Sequence, residues 1–148
     1  PGLQYQRLKS EIIKIFDEIS TSGIYVLGNE GKRFEENFSR YCGTSFAIGV
    51  GSGSDALFLS LLALGIGQKD EVITAPNSFM ATAWAIANVG ANLVFADVGE
   101  DYNIDPDLIE RSITPKTKAI LPVHWTGRVA QMEKIKQIAN DRNLFSSY

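Results

Sequence analysis

Gly49-Val50-Gly51-Ser52-Gly53-Ser54-Asp55-Ala56-Leu57 (GVGSGSDAL, residues 49–57) joins a short apolar run, Phe46 to Val50, to a leucine-rich segment. Read as a strand, a glycine-rich turn and the entrance to a helix, it makes this an α/β chain. At such a turn the first backbone N–H groups of the helix lack internal partners and the positive end of the helix dipole faces out, an arrangement that receives a phosphate. Gly51 and Gly53 remove Cβ atoms from the approach, Ser52 and Ser54 offer hydroxyl donors, and Asp55 is placed to cap the helix. The same residues also suit an ordinary glycine-rich turn with a Ser or Asp cap, so the motif alone leaves both readings open. It is neither G-x-G-x-x-G, since Ser54 stands at the third glycine position, nor G-x-x-x-x-G-K-[ST].

Beyond this turn the pattern repeats. Strands are predicted at Phe46–Val50, Glu71–Ala75, Leu93–Asp97 and Ala119–His124. Between them fall helices from Ser54 to Leu64, from Phe79 to Val89, and from Pro106 with Asp105 as N-cap and Ile109 and Ile113 as apolar anchors; another runs from Val129 to Asn143. Short strands alternating with helices predict a mostly parallel sheet in a three-layer α/β/α arrangement over residues 46–148. Residues 1–45 read as a helical lead-in. One amphipathic helix covers 5–20, closed by Ser22-Gly23, and a second starts between Asn29 and Gly31, carries Phe34, Phe38 and Tyr41, and ends at Gly43.

With 148 residues, 45% hydrophobic and 21% charged, the chain can bury a core. A net charge of -3 provides no broad basic field for nucleic acid or an acidic membrane. No apolar run approaches the roughly 20 residues that span a bilayer. The single cysteine, Cys42, excludes an intrachain disulfide and points to a reducing compartment, so a cytoplasmic location is expected.

Two further loops follow strand ends, the edge where open α/β sheets bind ligands. In Ala75-Pro76-Asn77-Ser78-Phe79-Met80, Phe79 could cover a planar cofactor or could pack beneath the Ala-rich helix that follows. In Pro122-Val123-His124-Trp125, His124 is the only histidine of the chain. Without a second histidine or a spaced carboxylate or thiol partner, no metal site or nucleophilic dyad is expected, and a hydrogen-bonded, pocket-lining role is. Lys116 and Lys118 lie near the start of the strand, so they fall at the opposite edge.

These landmarks are collinear with a known pattern. Ser22-Gly23-Ile24-Tyr25-Val26-Leu27-Gly28, Phe34-Glu35-Glu36-Asn37-Phe38, Gly53-Ser54-Asp55-Ala56-Leu57, Asp70-Glu71-Val72-Ile73, Ser78-Phe79-Met80-Ala81-Thr82-Ala83, Phe95-Ala96-Asp97-Val98, Asn103-Ile104-Asp105-Pro106, Ile113-Thr114-Pro115-Lys116-Thr117-Lys118-Ala119-Ile120 and Pro122-Val123-His124 together resemble the DegT/DnrJ/EryC1/StrS family of sugar aminotransferases. The resemblance implies the N-terminal part of a fold type I large domain dependent on pyridoxal 5'-phosphate. It also implies a nucleotide-linked keto sugar as acceptor, glutamate or glutamine as amino donor, and a homo-oligomer. Gly53, Ser54 and Asp55 match the phosphate cradle, Phe79 the aromatic stacked on the pyridine ring, and His124 a position at the pocket edge. The loop from Tyr25 to Asn29 matches a region on the substrate side, with Asn29 where the family more usually has proline.

The family pattern continues, past a segment like Arg142 to Phe145, into an acidic pair and a distant Schiff-base lysine; here Ser146-Ser147-Tyr148 follows instead. The Pro1-Gly2 start and this ending read as cut ends. Lacking those groups, this chain on its own is expected to carry no catalytic residue and to be inactive. The resemblance also places the first strand at the far side of the sheet from the next three, which predicts exposed strand edges, repacking or self-association. The alternatives are an inert or self-associating module and an unrelated nucleotide-binding domain, the second disfavoured by the failed glycine fingerprints.

Overall fold

The computed structural model describes residues 2–146. Pro1, and Ser147 and Tyr148 of the strand expected at the chain's end, lie outside the described residues. The chain forms two compact units, one reaching Gly49 and one beginning at Val50.

The first unit contains α1 (Gly2–Ser22) and α2 (Asn29–Cys42). Helix α1 is longer than its amphipathic stripe predicts, and its apolar positions Leu8, Ile12, Ile13 and Phe16 are exposed. Helix α2 ends where Gly43 takes the left-handed conformation at φ 68° and its N–H returns to the helix carbonyls, as the Tyr41-Cys42-Gly43 sequence predicts. Phe34 and Phe38, one turn apart, stack at 5.6 Å between ring centroids.

Phe46 to Val50 forms no strand. Phe46 and Ile48 are 84% and 80% exposed, and the Gly49 N–H donates to Glu35 Oε1 (2.7 Å) rather than to a neighbouring strand. An apolar run becomes a strand only where another strand offers its N–H and C=O groups, and no such ladder reaches this run among the described residues.

The second unit is three-layered. Its sheet comprises β1 (Glu71–Thr74), β2 (Asn92–Phe95), β3 (Thr117–Leu121) and β4 (Phe145–Ser146), all parallel in the order β2-β1-β3-β4. Successive residues of β1 point to opposite faces. Ile73 joins Ile120, Ile109, Met132, Ile135 and Ala139 under α5 (Pro106–Ser112) and α6 (Met132–Asp141). Val72 joins Ala119, Leu121, Leu61, Ala85 and Ile86 under α3 (Gly53–Ala63) and α4 (Met80–Asn88). Val72, Ile73, Ile86, Ile109, Ile120 and Ile135 are fully buried, and each side chain so buried stabilises the fold by about 1.5–3 kcal/mol. Strands flanked on both faces by helices explain why their sequences are continuous apolar runs rather than alternating ones.

Candidate functional site

The parallel sheet fixes where ligand groups can gather. Helices α3 and α4 pack side by side, with Phe58 and Trp84 at 6.1 Å between centroids. Their far ends also meet: a Cβ on Gly67 would lie 3.5 Å from the Val89 carbonyl, and one on Gly90 would lie 3.2 Å from Gln68 Cγ. The two helices therefore run in the same direction, and the start of α3 stands beside the start of α4, at the edge where the strands end.

The start of α3 differs from the sequence reading. The N-cap is Ser52, not Asp55, and the helix begins at Gly53. Ser52 Oγ accepts from the Asp55 N–H (3.1 Å) and donates to Asp55 Oδ2 (2.9 Å), so cap and third helical residue satisfy each other. Gly51 leaves room for this pairing, because a Cβ there would fall 2.8 Å from Asp55 Oδ2. The Asp55 amide is consequently engaged, and the Ala56 N–H returns to the Ser52 carbonyl (3.0 Å). Of the predicted cradle, Gly53 and Ser54 keep N–H groups with no intrahelical acceptor, and the half-buried Ser54 Oγ has no partner among the described residues. Space around Gly53 is open, with no atom within 4 Å of the Cβ position. These groups fit a phosphate: two amides, a hydroxyl and the positive end of an eleven-residue helix.

Phe79 is the N-cap position of α4 and is 78% exposed, so it does not pack beneath the helix. Behind it the Ser78 and Thr82 hydroxyls pair at 2.7 Å, fixing the turn from β1 into α4. A bare phenyl face at the strand-end edge suits stacking on a planar heteroaromatic ring.

His124 lies past the end of β3, which stops at Leu121, short of the predicted His124. The Ala130 N–H donates to its Nδ1 (3.2 Å). An Nδ1 that accepts this bond carries no hydrogen, which leaves the ring N–H on Nε2. The expected helix at Val129 starts only at Met132; ahead of it a 3-10 turn, Trp125–Gly127, holds Thr126 in the left-handed region at φ 51°. Lys116 and Lys118 are exposed at the start of β3, on the opposite edge, as their spacing predicts.

The sequence reading missed Asn103, which is 2% exposed. Its Oδ1 accepts from the Trp125 N–H (3.0 Å) and its Nδ2 donates to Asp101 Oδ2 (3.0 Å). The Asn103 side chain, its backbone N–H and the nearby Arg128 charge hold the Asp101 carboxyl below its ordinary value. The Asp-x-Asn spacing, which favours a local side-chain turn, was the available signal.

The cavity of about 390 Å³ between α3 and β3–β4 is lined by Leu57, Leu61, Leu64, Ala119, Leu121 and Phe145 and is too apolar for a phosphate. Among the described residues no cluster could hold a metal ion, and no helix is long and apolar enough to cross a membrane.

A sequence profile described as the DegT/DnrJ/EryC1/StrS aminotransferase family matches residues 6–146. The chain is 39% identical over 143 residues to a dTDP-3-amino-3,4,6-trideoxy-alpha-D-glucose transaminase of Micromonospora megalomicea subsp. nigra, covering 96% of this chain and 38% of that protein. Its fold superposes on S. venezuelae DesV in complex with a ketimine intermediate at a TM-score of 0.93 with 40% identity, over 98% of this chain and 39% of the other. NtdA from Bacillus subtilis with bound cofactor PMP gives a TM-score of 0.89 with 39% identity, over 93% of this chain and 32% of the other. The chain thus spans well under half the length of these relatives.

Proposed function

Given that the chain belongs to the DegT/DnrJ/EryC1/StrS aminotransferase family, we propose that it forms the cofactor-receiving N-terminal part of a pyridoxal-phosphate-dependent aminotransferase of nucleotide-linked keto sugars. What supports this reading is the pair of amides and the hydroxyl of Gly53 and Ser54 at the start of α3, together with the exposed Phe79 ring at the start of the adjoining helix α4. Pyridoxal phosphate supplies an electron sink that makes the bonds at an amine-bearing carbon labile. This chain's part is to bind and orient: Gly53 and Ser54 take the phosphate, Phe79 covers one face of the ring, and His124 presents its Nε2 proton at the pocket edge. Asp55 acts through the Ser52 pair that shapes the cradle.

The sugar substrate is supported by the transaminase activity in the name of the Micromonospora relative, and the cofactor by the PMP bound in the B. subtilis structure. Glutamate or glutamine as donor, a homo-oligomeric assembly and a cytoplasmic location belong to the same proposal. The lone exposed Cys42 suits a reducing compartment. The chain is expected to bind the cofactor. Titration of the chain with pyridoxal phosphate, read by absorbance and by quenching of tryptophan fluorescence, tests the reading: saturable binding weakened by S54A and F79A supports it, and no binding at millimolar cofactor refutes it.

A second reading, a self-associating module without activity, is favoured by the exposed apolar run from Phe46 to Val50. It predicts concentration-dependent assembly in sedimentation velocity that added pyridoxal phosphate leaves unchanged.

A further inference from the structure

We propose that Asn103 is a positioning residue for His124, a role that deepens the cofactor-site reading and rests on it for its meaning. Residues 98–104 form a small hairpin, bridged antiparallel at Val98 and Ile104 and closed by the Gly99 N–H on the Asn103 carbonyl (2.9 Å) and the Tyr102 N–H on the Gly99 carbonyl (3.0 Å). Tyr102 adopts φ 63°, a conformation that a bulky residue takes at a cost. The backbone bend brings the next side chain, Asn103, inward.

A buried amide loses its hydration, and an apolar side chain of similar size avoids that loss, so its presence calls for partners that matter. The Asn103 oxygen holds the amide of Trp125, the residue directly after His124, while Asp101 fixes the Asn103 nitrogen. From the other side the Ala130 N–H holds His124 Nδ1. The imidazole is therefore pinned through its successor and through its own ring, and its Nε2 makes no hydrogen bond among the described residues. The hairpin also reaches the Phe79 loop, where Asn77 Nδ2 donates to the Tyr102 carbonyl (3.0 Å). One short hairpin thus sets the loops that carry Phe79 and His124 relative to each other.

Because the chain holds a single histidine, its imidazole signals in ¹⁵N-labelled protein are unambiguous. In N103L, amide hydrogen exchange at Trp125 and Ala130 is expected to accelerate about tenfold or more, the imidazole signals to shift, and the Ile120 and Ile135 amides to keep their protection. N103D retains an acceptor for Trp125 but sets two carboxylates against each other; adding D101N restores a donor–acceptor pair in reversed order. The double variant is expected to return both the exchange and the imidazole signals towards those of the unsubstituted chain.

Faster exchange at Trp125 alone, with Ala130 and the imidazole unmoved, overturns the proposal. If N103L unfolds, the double variant decides: recovery of the melting temperature without recovery of the imidazole signals also overturns it. Pyridoxal phosphate titration of the unsubstituted chain tests the cofactor reading separately, since the exchange and ring signals are read without cofactor.

Discussion

Two serines two residues apart, Ser52 and Ser54, should fail in opposite ways when each is cut to alanine. Ser52 is occupied within the fold: its hydroxyl accepts from the Asp55 amide at 3.1 Å and donates to the Asp55 carboxylate at 2.9 Å. Removing an N-cap hydroxyl costs about 1 kcal/mol, which in a chain of this size lowers the melting temperature by roughly 2–4 °C. The Ser54 hydroxyl has no partner among the described residues, so S54A should leave the melting temperature within about 1 °C. Its loss is felt by the ligand instead. A hydrogen bond to a charged group contributes about 1.5–3 kcal/mol, equivalent to a roughly 10- to 150-fold rise in the dissociation constant for pyridoxal phosphate. Fluorescence titration and thermal melting of S52A and S54A, made in parallel, separate the two roles. Equal affinity of S54A and the unsubstituted chain, where that chain binds, would refute the assignment of this helix start as the phosphate site, whatever the melting curves show.

F79A should weaken cofactor binding by a few-fold to roughly tenfold, from the loss of ring stacking worth about 0.5–1.5 kcal/mol, without lowering the melting temperature, because the ring is mostly exposed; spectrophotometric titration reads both the affinity and any change in the cofactor band. I120A removes a fully buried side chain that contacts the α5–α6 layer, and urea denaturation should report a loss of about 2–5 kcal/mol. The Asp101 carboxyl is held below its ordinary value of 3.8 by Asn103. The stability it contributes is therefore present above that pH and lost as the pH falls through the lowered value. D101N should accordingly flatten the acid limb of the denaturation midpoint against pH below about 4 while the neutral limb keeps its shape; an unchanged acid limb would count against the Asp101–Asn103 pairing.

Much of this fold was legible because most of its information is local. The cap at Asp105 with Pro106 following, the left-handed glycine at Gly43, and the apolar runs of β1, β2 and β3 are each specified by a few neighbouring residues, and each appears within two or three residues of its predicted place. The cap of α3 was misassigned although its signal was also local: Ser52 and Asp55 stand in the serine-then-acid spacing of a reciprocal cap, and the carboxylate sits too far into the helix to be the cap itself. The start of α6 was placed early because Val129 and Ala130 continue the apolar spacing, whereas in the structure the Ala130 amide is committed to His124.

The strand predicted at Phe46 to Val50 failed for a different reason. Its apolar composition is as strand-like as that of β1, but a parallel strand completes its hydrogen bonds only with residues distant in sequence, and composition says nothing of whether they are present. Glu71 to Thr74 found two such neighbours, β2 and β3, while Gly49 found the Glu35 side chain. The contrast sets a condition that can be checked directly. If Phe46 to Val50 is a strand awaiting partners, joining this chain to the remaining segments of a full-length family relative should protect the Ile48 amide from exchange while leaving the Val72 and Ile73 amides as they are. Should Ile48 exchange as freely in that fusion as in this chain, the run is a linker whose apolar side chains serve packing alone, and the sheet begins at Glu71.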